Sequence, residues 1–274
     1  MHEARSSGRT RTFPRAVERT APPETPKAAE RAEPLPQLSV VVPVCNEEEN
    51  VAPLAREIQA ALADRGSFEI LFVDDGSTDA TVARLAEVRV EIPQLRILRH
   101  SIRCGQSIAL HTGVRAARAQ WVATLDGDGQ NDPADIPALV DAAHRSGSQE
   151  PKLVMGHRRA RRDTWVRRLS SRIANAVRRG VLHDDTPDTG CGIKLMHRAT
   201  FLELPTFNHM HRFLPALYQR TGARVVSVPV NHRPRLHGRS KYGIGNRLWV
   251  GIVDMFGVRW LLRRAPQRPS LLEE

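Results

Sequence analysis

The stretch WVATLDGDGQNDP, residues 121–133, joins a short apolar run to a loop that carries three aspartates. The run WVATL has the length and the aromatic and β-branched content of a strand. Asp126, Asp128 and Asp132 follow it closely, and carboxylates packed so tightly repel one another unless a cation joins them. The stretch therefore predicts a strand whose carboxyl end holds a cation.

Calcium bound in an EF-hand is the first alternative, because acidic or amide residues occupy alternate positions from Asp126 to Asp132. An EF-hand loop requires Gly at its sixth position and Glu at its twelfth, where this chain has Asn131 and Pro137. A helix should also precede such a loop, and here a strand is predicted. The second alternative is a divalent ion shared with a phosphorylated ligand at the carboxyl end of a strand, where open α/β sheets bind ligands.

The composition bounds the class of protein. The chain has 274 residues, of which 41% are hydrophobic, and a formal net charge of +11. This length suits one generous domain or two small ones, and the charge indicates an anionic partner: nucleic acid, a membrane surface or a phosphate-bearing substrate. Cys45, Cys104 and Cys191 lie far apart and are odd in number, which indicates buried thiols in a reducing cytosol rather than disulfides.

The chain divides into segments of different composition. Residues 1–37 are rich in Arg, Pro, Thr, Ala and Glu, lack apolar periodicity and contain no apolar core of a signal peptide, so we expect a disordered tail. An organelle transit peptide is the alternative, although glutamates recur along the tail. We expect a globular domain over 38–242, a separate helix over 243–264 and a short tail over 265–274.

Short apolar runs alternate with amphipathic stretches after residue 37. The runs LSVVVPV, EILFVDD, LRILRH and WVATLD predict strands, and each is followed by a predicted helix, over 51–63, 80–90, 107–119 and 136–145. Further helices are predicted over 161–179 and 211–220, and a late strand over 225–231. Strands that alternate with helices indicate an α/β fold with a Rossmann-like, mostly parallel sheet flanked by helices.

Polar motifs follow three of these strands, where an α/β sheet places its ligand contacts. They are PVCNEEEN (residues 43–50), VDDGSTD (residues 73–79) and DGDGQND (residues 126–132), which we call the aspartate loop. DDGSTD has a structural alternative as a glycine turn and a helix N-cap, with Ser77 or Thr78 as the cap. The chain has no GxGxxG and no GxxxxGK[ST], so neither a dinucleotide fingerprint nor a Walker loop explains the expected phosphate.

Four motifs in the same order resemble those of the GT-A glycosyltransferases of family 2, in particular the polyprenyl-phosphate sugar transferases typified by dolichol-phosphate mannosyltransferase. VVPVCNEEEN is similar to the family's V-P-x-x-N-E, and VDDGSTD to its second nucleotide element. DGDGQ matches D-x-D-x-Q, and RLHGRSKYG matches R-x-x-G-x-S-K. The resemblance covers about three quarters of the chain and implies a GT-A domain over 38–242.

The resemblance implies a set of donor-side residues. They are Pro43, Cys45 and Glu47 at the nucleoside, Val73 and Asp75 at base and ribose, Asp126, Asp128 and Gln130 at the metal and diphosphate, and Arg235 and Lys241 at the phosphates. The implied cofactor is Mg²⁺ or Mn²⁺, with Asp128 as the foremost ligand, and Asp128, Arg235 and Lys241 as the catalytic set. Cys45 replaces an aromatic residue usual in this pocket, which leaves the base of the donor open.

A basic stretch, residues 157–179, contains nine Arg and one Asp and is the candidate for binding the acceptor. On its own such a stretch is typical of a solvated helix face. In the resembled family it is the acceptor loop and helix, and Arg158, Arg167 and Ser171 are the residues implied to hold the lipid phosphate. DTGCGIK, residues 188–194, resembles an element near the sugar, so Asp188 either orients a substrate or caps a turn.

The implied reaction is an inverting transfer of a sugar from GDP-mannose or a UDP-sugar to dolichyl or undecaprenyl phosphate at the cytoplasmic membrane face. A phosphate acceptor is already anionic at pH 7 and needs no strong general base. The chain also lacks the Q-x-x-R-W motif of polysaccharide-extending relatives. A soluble or saccharide hydroxyl acceptor is the alternative. A basic nucleic-acid-binding protein is the alternative of another class, but the Arg run lacks interleaved aromatics, so we expect no nucleic acid partner.

The predicted carboxyl-terminal helix, 248–262, has 15 residues and includes Asp254, which makes it too short and too polar to span a bilayer. In helical geometry Trp249, Val253, Phe256 and Trp260 lie in one arc. This pattern predicts an amphipathic helix on an anionic membrane surface, and a cytoplasmic protein held peripherally at the inner face of the plasma membrane. The alternative is a terminal helix that packs in the core.

Overall fold

One sheet of seven strands lies at the centre of the structure, a computed structural model that describes residues 35–145, 150–158, 178–182, 184, 186–234 and 244–264, excepting the side chains of 244–250. The strands are β1 (Leu38–Val44), β2 (Phe68–Asp74), β3 (Leu95–Arg99), β4 (Trp121–Thr124), β5 (Leu153–Arg158), β6 (Lys194–His197) and β7 (Val225–Val230). Their order across the sheet is β3-β2-β1-β4-β6-β5-β7. Every neighbouring pair is parallel except those formed by β6, which is antiparallel to β4 and β5.

Helices cover both faces of this sheet. They are α1 (Val51–Leu62), α2 (Thr81–Glu91), α3 (Gln106–Ala116), α4 (Ile136–His144), α5 (Arg198–Leu202), α6 (Leu214–Arg220) and α7 (Ile244–Arg263). Buried side chains of α1, α2 and α4 belong to one apolar cluster, and those of α3, α5, α6 and α7 to a second. The predicted α/β class with a mostly parallel sheet is therefore confirmed.

The alternation of side chains along β1 explains how one strand serves both layers. Val40, Val42 and Val44 point into the first cluster, and Val41 points into the second. Successive strand residues face opposite sides of a sheet, so a strand buried on both faces reads as a continuous apolar run. The run LSVVVPV has this composition, which is why it could be assigned from sequence.

Several predicted boundaries are wrong by a few residues. The helix predicted over 107–119 ends at Ala116, because Ala117 is extended and two side chains of the sheet capture the next backbone N–H groups. Arg118 N donates to Glu69 Oε1 at 2.6 Å and Ala119 N to Ser39 Oγ at 3.1 Å. These partners are distant in sequence, so helical periodicity could not reveal them.

The segment predicted as one helix over 211–220 is a 3₁₀ turn, Met210–Arg212, followed by α6. Pro215 lies in the first turn of α6, where a missing N–H costs nothing. The carboxyl-terminal helix α7 runs over Ile244–Arg263, within one residue at each end of the predicted helical segment 243–264 and beyond its apolar part, 248–262. No strand was predicted at β6, which has four residues and pairs only with distant strands.

Glu69 is the centre of a buried ionic group at the amino end of the sheet. Its side chain is 2% exposed, and it accepts from Ser39 Oγ at 2.7 Å, Arg96 Nη1 at 2.6 Å and Arg118 Nε at 3.1 Å. Burial alone would raise the pKa of Glu69, but these hydrogen bonds together with the one from Arg118 N outweigh it and leave the pKa below its ordinary value. A carboxyl group with a depressed pKa stabilises the fold above its unfolded-state pKa.

We expect Glu69→Gln to lower the free energy of unfolding by about 2 kcal/mol, because the buried side chain loses its charge-assisted hydrogen bonds from the partly exposed guanidinium groups of Arg96 and Arg118. In the wild type, the contribution of Glu69 should be fully present above the ordinary carboxyl pKa of about 4.5 and disappear as the pH falls through the lower folded-state value. Urea unfolding between pH 3 and 7 measures both effects, with Glu91→Gln in the exposed Arg56–Glu91 pair as the control. Equal losses in the two variants would contradict this assignment.

Candidate active site

A cleft of about 400 Å³ opens at the carboxyl ends of β1, β2 and β4. It brings together most of the described residues implied by the resemblance: Pro43, Cys45, Glu47, Asp75, Asp126, Asp128, Gln130 and Arg158. Val73 is the exception. Its side chain is fully buried in the second apolar cluster beside α3, and its backbone lies in β2 between β1 and β3, so Val73 does not line the cleft. Arg167, Ser171, Arg235 and Lys241 lie outside the described residues.

Hydrogen bonds join the loops after β1 and β2, which contribute Cys45, Glu47 and Asp75 to the lining of the cleft. Asn46 is in the left-handed backbone region, with φ 52°. Its N–H donates to Ser77 Oγ and its Oδ1 accepts from Thr78 N, both at 2.8 Å. The predicted capping role of Ser77 or Thr78 is therefore wrong, because both residues are bonded to Asn46. Asp79 Oδ1 instead accepts the Thr81 N–H at the start of α2, at 3.0 Å.

Asp75 fixes the loop between β3 and α3. One carboxylate oxygen accepts from Cys104 N at 2.8 Å and lies 2.9 Å from His100 Nδ1, and the other accepts from Gly105 N at 2.7 Å. Burial would raise the pKa of Asp75, but these hydrogen bonds outweigh it and lower the pKa. Asp75 is therefore an anion that lines the cleft, and its carboxylate can accept one more hydrogen bond, such as one from a ribose hydroxyl.

The carboxylates of the aspartate loop differ in environment. Asp126 is bonded to Gln106 Nε2 at 2.8 Å, and its backbone N–H donates to Asn131 Oδ1 at 3.1 Å. Burial raises the pKa of Asp126; Lys194 opposes this shift and Asp128 adds to it. Asp128 Oδ1 accepts from Gln130 N at 3.1 Å, which closes a tight turn. The side chains of Asp126, Asp128 and Gln130 thus line the same cleft. A cation bound there would offset the repulsion between the two carboxylates and the cost of burying their charge.

This donor set fits Mg²⁺ or Mn²⁺, because both prefer oxygen ligands and commonly bind through one or two carboxylates with substrate phosphates. A second group of ligand atoms, from Asp75, His100 and Cys104, lies within 4.8 Å of one another. It contains sulfur and nitrogen, and its carboxylate already accepts backbone N–H groups. The oxygen-rich loop of Asp126, Asp128 and Gln130 is therefore the better place for a hard divalent ion.

Gly192 makes room for the carboxylate of Asp126. A Cβ atom at this position would overlap the carboxylate of Asp126 and the amide oxygen of Asn131. The neighbouring Thr124 Oγ1 donates to Gly192 O at 3.0 Å, which holds the segment before β6 against β4. The sequence DTGCGIK therefore contributes a close backbone approach to the aspartate loop, a role that its pattern did not reveal.

Arg158 also lines the cleft and forms an ion pair with Asp188. Arg158 Nε and Nη2 donate to the two carboxylate oxygens at 2.7 and 2.8 Å. Burial lowers the pKa of the guanidinium, but Asp188 outweighs it and raises the pKa. The structure thus shows Asp188 in contact with Arg158, a role that is neither of the two alternatives predicted for it, and those alternatives stay predictions. Nη1 of Arg158 has no hydrogen-bond partner among the described residues and can donate to a ligand.

A second cavity of about 320 Å³ shares Asp126, Gln106 and Arg158 with the cleft. Lys194 and His211 line it, and neither was predicted as a site residue. His211 Nδ1 lies 2.8 Å from Ser107 Oγ, and burial, aided by Lys194, lowers the pKa of His211 to about 3. His211 is therefore neutral at pH 7. Lys194 ends the quoted DTGCGIK motif, whereas His211 carries no motif that could have identified it.

The protein-family comparison matches residues 39–204 to the model described as glycosyl transferase family 2. Among curated relatives, the dodecaprenyl-phosphate galacturonate synthase of Rhizobium johnstonii is 36% identical over 232 residues, which is 83% of this chain and 68% of the relative. The undecaprenyl-phosphate 4-deoxy-4-formamido-L-arabinose transferase of Edwardsiella ictaluri is 33% identical over 210 residues, which is 76% of this chain and 63% of the relative. The chain thus spans about two thirds of the length of these relatives.

Solved structures share the fold. Glucosyl-3-phosphoglycerate synthase from Mycobacterium tuberculosis, in complex with Mn²⁺, UDP-glucose and glycerol 3-phosphate, superposes with a TM-score of 0.63 at 22% identity and covers 85% of this chain and 82% of that one. The mannosyltransferase PcManGT from Pyrobaculum calidifontis, in complex with GDP-Man and Mn²⁺, gives 0.60 at 20% identity and covers 86% and 67%. The matched family model and the relatives above 30% identity show that the chain belongs to glycosyl transferase family 2.

Proposed function

We propose that this glycosyltransferase moves a sugar from a nucleotide sugar to a polyprenyl phosphate. The observation that supports the proposal is the set of charges in one cleft, which is lined both by Asp126 and Asp128 and by Arg158, the partner of Asp188. The carboxylates of Asp126 and Asp128 suit a divalent ion that also binds a diphosphate. The largely buried guanidinium of Arg158 suits a second phosphate. The names of the two relatives, both polyprenyl-phosphate sugar transferases, support the same acceptor class.

The residues of the cleft supply positioning and charge for a single displacement. An oxygen of the acceptor phosphate attacks the anomeric carbon, the bond from that carbon to the donor diphosphate breaks, and the configuration inverts. Asp126, Asp128 and Gln130 would hold Mg²⁺ or Mn²⁺, which when bound neutralises charge on the leaving diphosphate. Nη1 of Arg158 would hold the acceptor phosphate, and Asp188 orients this guanidinium.

No proton needs to be removed from the acceptor, because a phosphate monoester is already ionised at pH 7. This agrees with the lowered pKa of His211, which makes its imidazole a weak base, and with the engagement of Asp75 and Asp188 in hydrogen bonds. Arg235 and Lys241, outside the described residues, remain proposed donors to the phosphates. Arg167 and Ser171 remain proposed contacts of the acceptor.

A comparison of acceptors tests the proposal. We expect transfer to undecaprenyl phosphate in detergent, with a panel of GDP- and UDP-sugars and Mg²⁺ or Mn²⁺, and no transfer to undecaprenol, which lacks the phosphate. Free saccharides serve as the third acceptor. Preferred transfer to a saccharide hydroxyl would replace this proposal with the alternative of a soluble acceptor.

We further propose that α7 binds the membrane that contains the acceptor, at the inner face of the plasma membrane. Val253, Phe256 and Trp260 are 54%, 59% and 60% exposed, whereas Met255 and Val258 on the other side pack in the second apolar cluster. Asp254 also faces the protein, where its Oδ2 lies 2.9 Å from His209 Nδ1. The described side chains thus divide between a packed face and an exposed apolar face, so the core-packing alternative does not account for Phe256 and Trp260.

Charge next to this face favours an anionic lipid surface. Arg263 and Arg264 follow the apolar residues and are exposed. Apolar side chains together with adjacent Arg groups are typical of helices that lie in the interface plane of a bilayer. None of the described helices has the length and apolarity needed to cross a membrane.

We expect the double variant Phe256→Ser plus Trp260→Ser to lose binding to vesicles that contain anionic lipid, while donor binding persists. Flotation with vesicles of increasing phosphatidylglycerol content measures this, and wild-type binding should weaken as salt rises. Val90, which is 85% exposed on α2, provides the control Val90→Ser. Unchanged flotation of the double variant would contradict the assignment of α7.

A further inference from the structure

The aspartate loop is bonded at its carboxyl end to the segment that follows β7. Arg233 N donates to Gln130 O at 2.9 Å, and Asn131 and His232 form an antiparallel bridge. Asn131, which is 3% exposed, also accepts the backbone N–H of Asp126 through its Oδ1 at 3.1 Å. The conformation of the loop therefore depends on a segment that comes much later in the chain.

The side chain of Arg233 connects the same loop to α1. Its Nη2 donates to Asp132 Oδ1 and its Nη1 to Glu57 Oε2, both at 2.6 Å. Asp132 Oδ1 also accepts the Ala134 N–H at 3.0 Å, in the turn that leads into α4. One guanidinium thus joins α1, the aspartate loop and the segment after β7, and it fixes the direction of the Asp132 side chain.

The pair with Arg233 accounts for one of the three carboxylates of the aspartate loop. Asp132 is 15% exposed and has a cation of the protein itself as its partner. Asp126 and Asp128 line the cleft, where a divalent ion would offset their charges. Without Arg233, the charge of Asp132 would be left to repel the neighbouring carboxylates or to compete for that ion. The ion pair therefore keeps Asp132 apart from the proposed metal ligands.

We propose that Arg233 is a positioning residue that holds the aspartate loop in the conformation that binds the divalent ion. The inference rests on the proposed function in one respect, the assignment of that ion to Asp126, Asp128 and Gln130. Partners that orient metal ligands from outside the ligand set typically contribute about ten- to a hundredfold to metal affinity or activity. Arg233 is 38% exposed, and ion pairs of exposed groups contribute little to the free energy of unfolding. Removal of Arg233 should therefore weaken metal binding much more than it weakens the fold.

Arg233→Met removes the guanidinium and retains an extended side chain. Mn²⁺ binding is measured by calorimetry on the full chain, with UDP and separately with GDP present because the base of the donor is open. We expect the Kd for Mn²⁺ to rise about tenfold or more, with little change in the midpoint of thermal unfolding. Arg56→Met is the matched control, since Arg56 on α1 donates two hydrogen bonds to Glu91 and is 52% exposed. The control should bind Mn²⁺ as the wild type does.

The sign of the effect separates positioning from simple electrostatics. Removal of a positive charge would by itself favour a nearby cation, so Arg233→Met would tighten Mn²⁺ binding if Arg233 acted through its charge alone. Arg233→Lys keeps the charge but replaces the planar fork that reaches Glu57 and Asp132 together, so it should recover only part of the affinity. Wild-type or tighter Mn²⁺ binding by Arg233→Met would overturn the inference.

Asp132→Asn tests the same pair from the other side and serves if Arg233→Met fails to fold. It retains the oxygen that accepts the Ala134 N–H but removes the charge that holds the guanidinium. We expect a loss of Mn²⁺ affinity similar to that of Arg233→Met, and little further loss in the double variant, because the two side chains act as one pair. Wild-type affinity in Asp132→Asn, or losses that add in the double variant, would overturn the assignment.

Transfer to undecaprenyl phosphate is the separate readout of the proposed function. Mn²⁺ binding that depends on Arg233, without transfer of sugar to this lipid, would overturn the proposed acceptor and leave the role of Arg233 standing. Transfer by a wild type and an Arg233→Met variant of equal Mn²⁺ affinity would overturn the role of Arg233 alone.

Discussion

Asp128→Asn is expected to lower kcat by at least ~10²-fold, because it removes a ligand charge from the site that stabilises the leaving diphosphate while changing little volume. Asp128 lines the cleft and, within the aspartate loop, closes the turn to Gln130. Sugar transfer to undecaprenyl phosphate under saturating donor and Mn²⁺ measures the effect, and thermal unfolding shows whether the fold is retained.

Asp64→Asn is a matched control, since Asp64 is exposed in the turn after α1. It makes the same chemical change and should leave kcat unaltered. Wild-type activity should also disappear in excess chelator and return with Mg²⁺ or Mn²⁺. Full activity in excess chelator would contradict the metal assignment for Asp126, Asp128 and Gln130.

Gly192→Ala should reduce kcat by about 10²-fold, the cost expected for moving a catalytic group by a fraction of an ångström to an ångström. The new Cβ would overlap the carboxylate of Asp126 and the amide oxygen of Asn131, so the aspartate loop must shift. The affinity for Mn²⁺, measured by calorimetry, should fall in parallel, which separates this effect from a general loss of stability.

Gly190→Ala is the control for this variant. A Cβ at Gly190 would lie 3.4 Å from Arg158 Nη2 and 3.8 Å from Asp188 Oδ1, which are ordinary contacts. Its affinity for Mn²⁺ should therefore remain near that of the wild type. If the two glycine variants behave alike, the close approach at Gly192 does not determine the position of Asp126.

The amino-terminal half of the fold could be predicted because its information is local. Each of the strands β1 to β4 is a short apolar run, and each helix that follows begins within one residue of its predicted position. The antiparallel strand β6 could not be predicted, because its four residues depend on partners in β4 and β5. The early end of α3 depends in the same way on Glu69 and Ser39.

The candidate site was predictable where a motif follows a strand, and less so elsewhere. Asp75, Asp126 and Asp128 reach one cleft because parallel strands end at the same edge of the sheet. Val73 belongs to the same motif but points to the opposite face from Phe72, into the core. Lys194 and His211 approach this edge from the other half of the chain, and only tertiary packing brings them beside Asp126.

The identity of the product is the most direct test of sugar transfer to a polyprenyl phosphate. The full chain is incubated with a nucleotide sugar, Mn²⁺ and undecaprenyl phosphate, and the lipid is examined by mass spectrometry and phosphorus NMR. We expect the lipid phosphate to change from a monoester to a diester and to gain the mass of one sugar, with inverted anomeric configuration. Consumption of the nucleotide sugar while the lipid phosphate remains a monoester would contradict it.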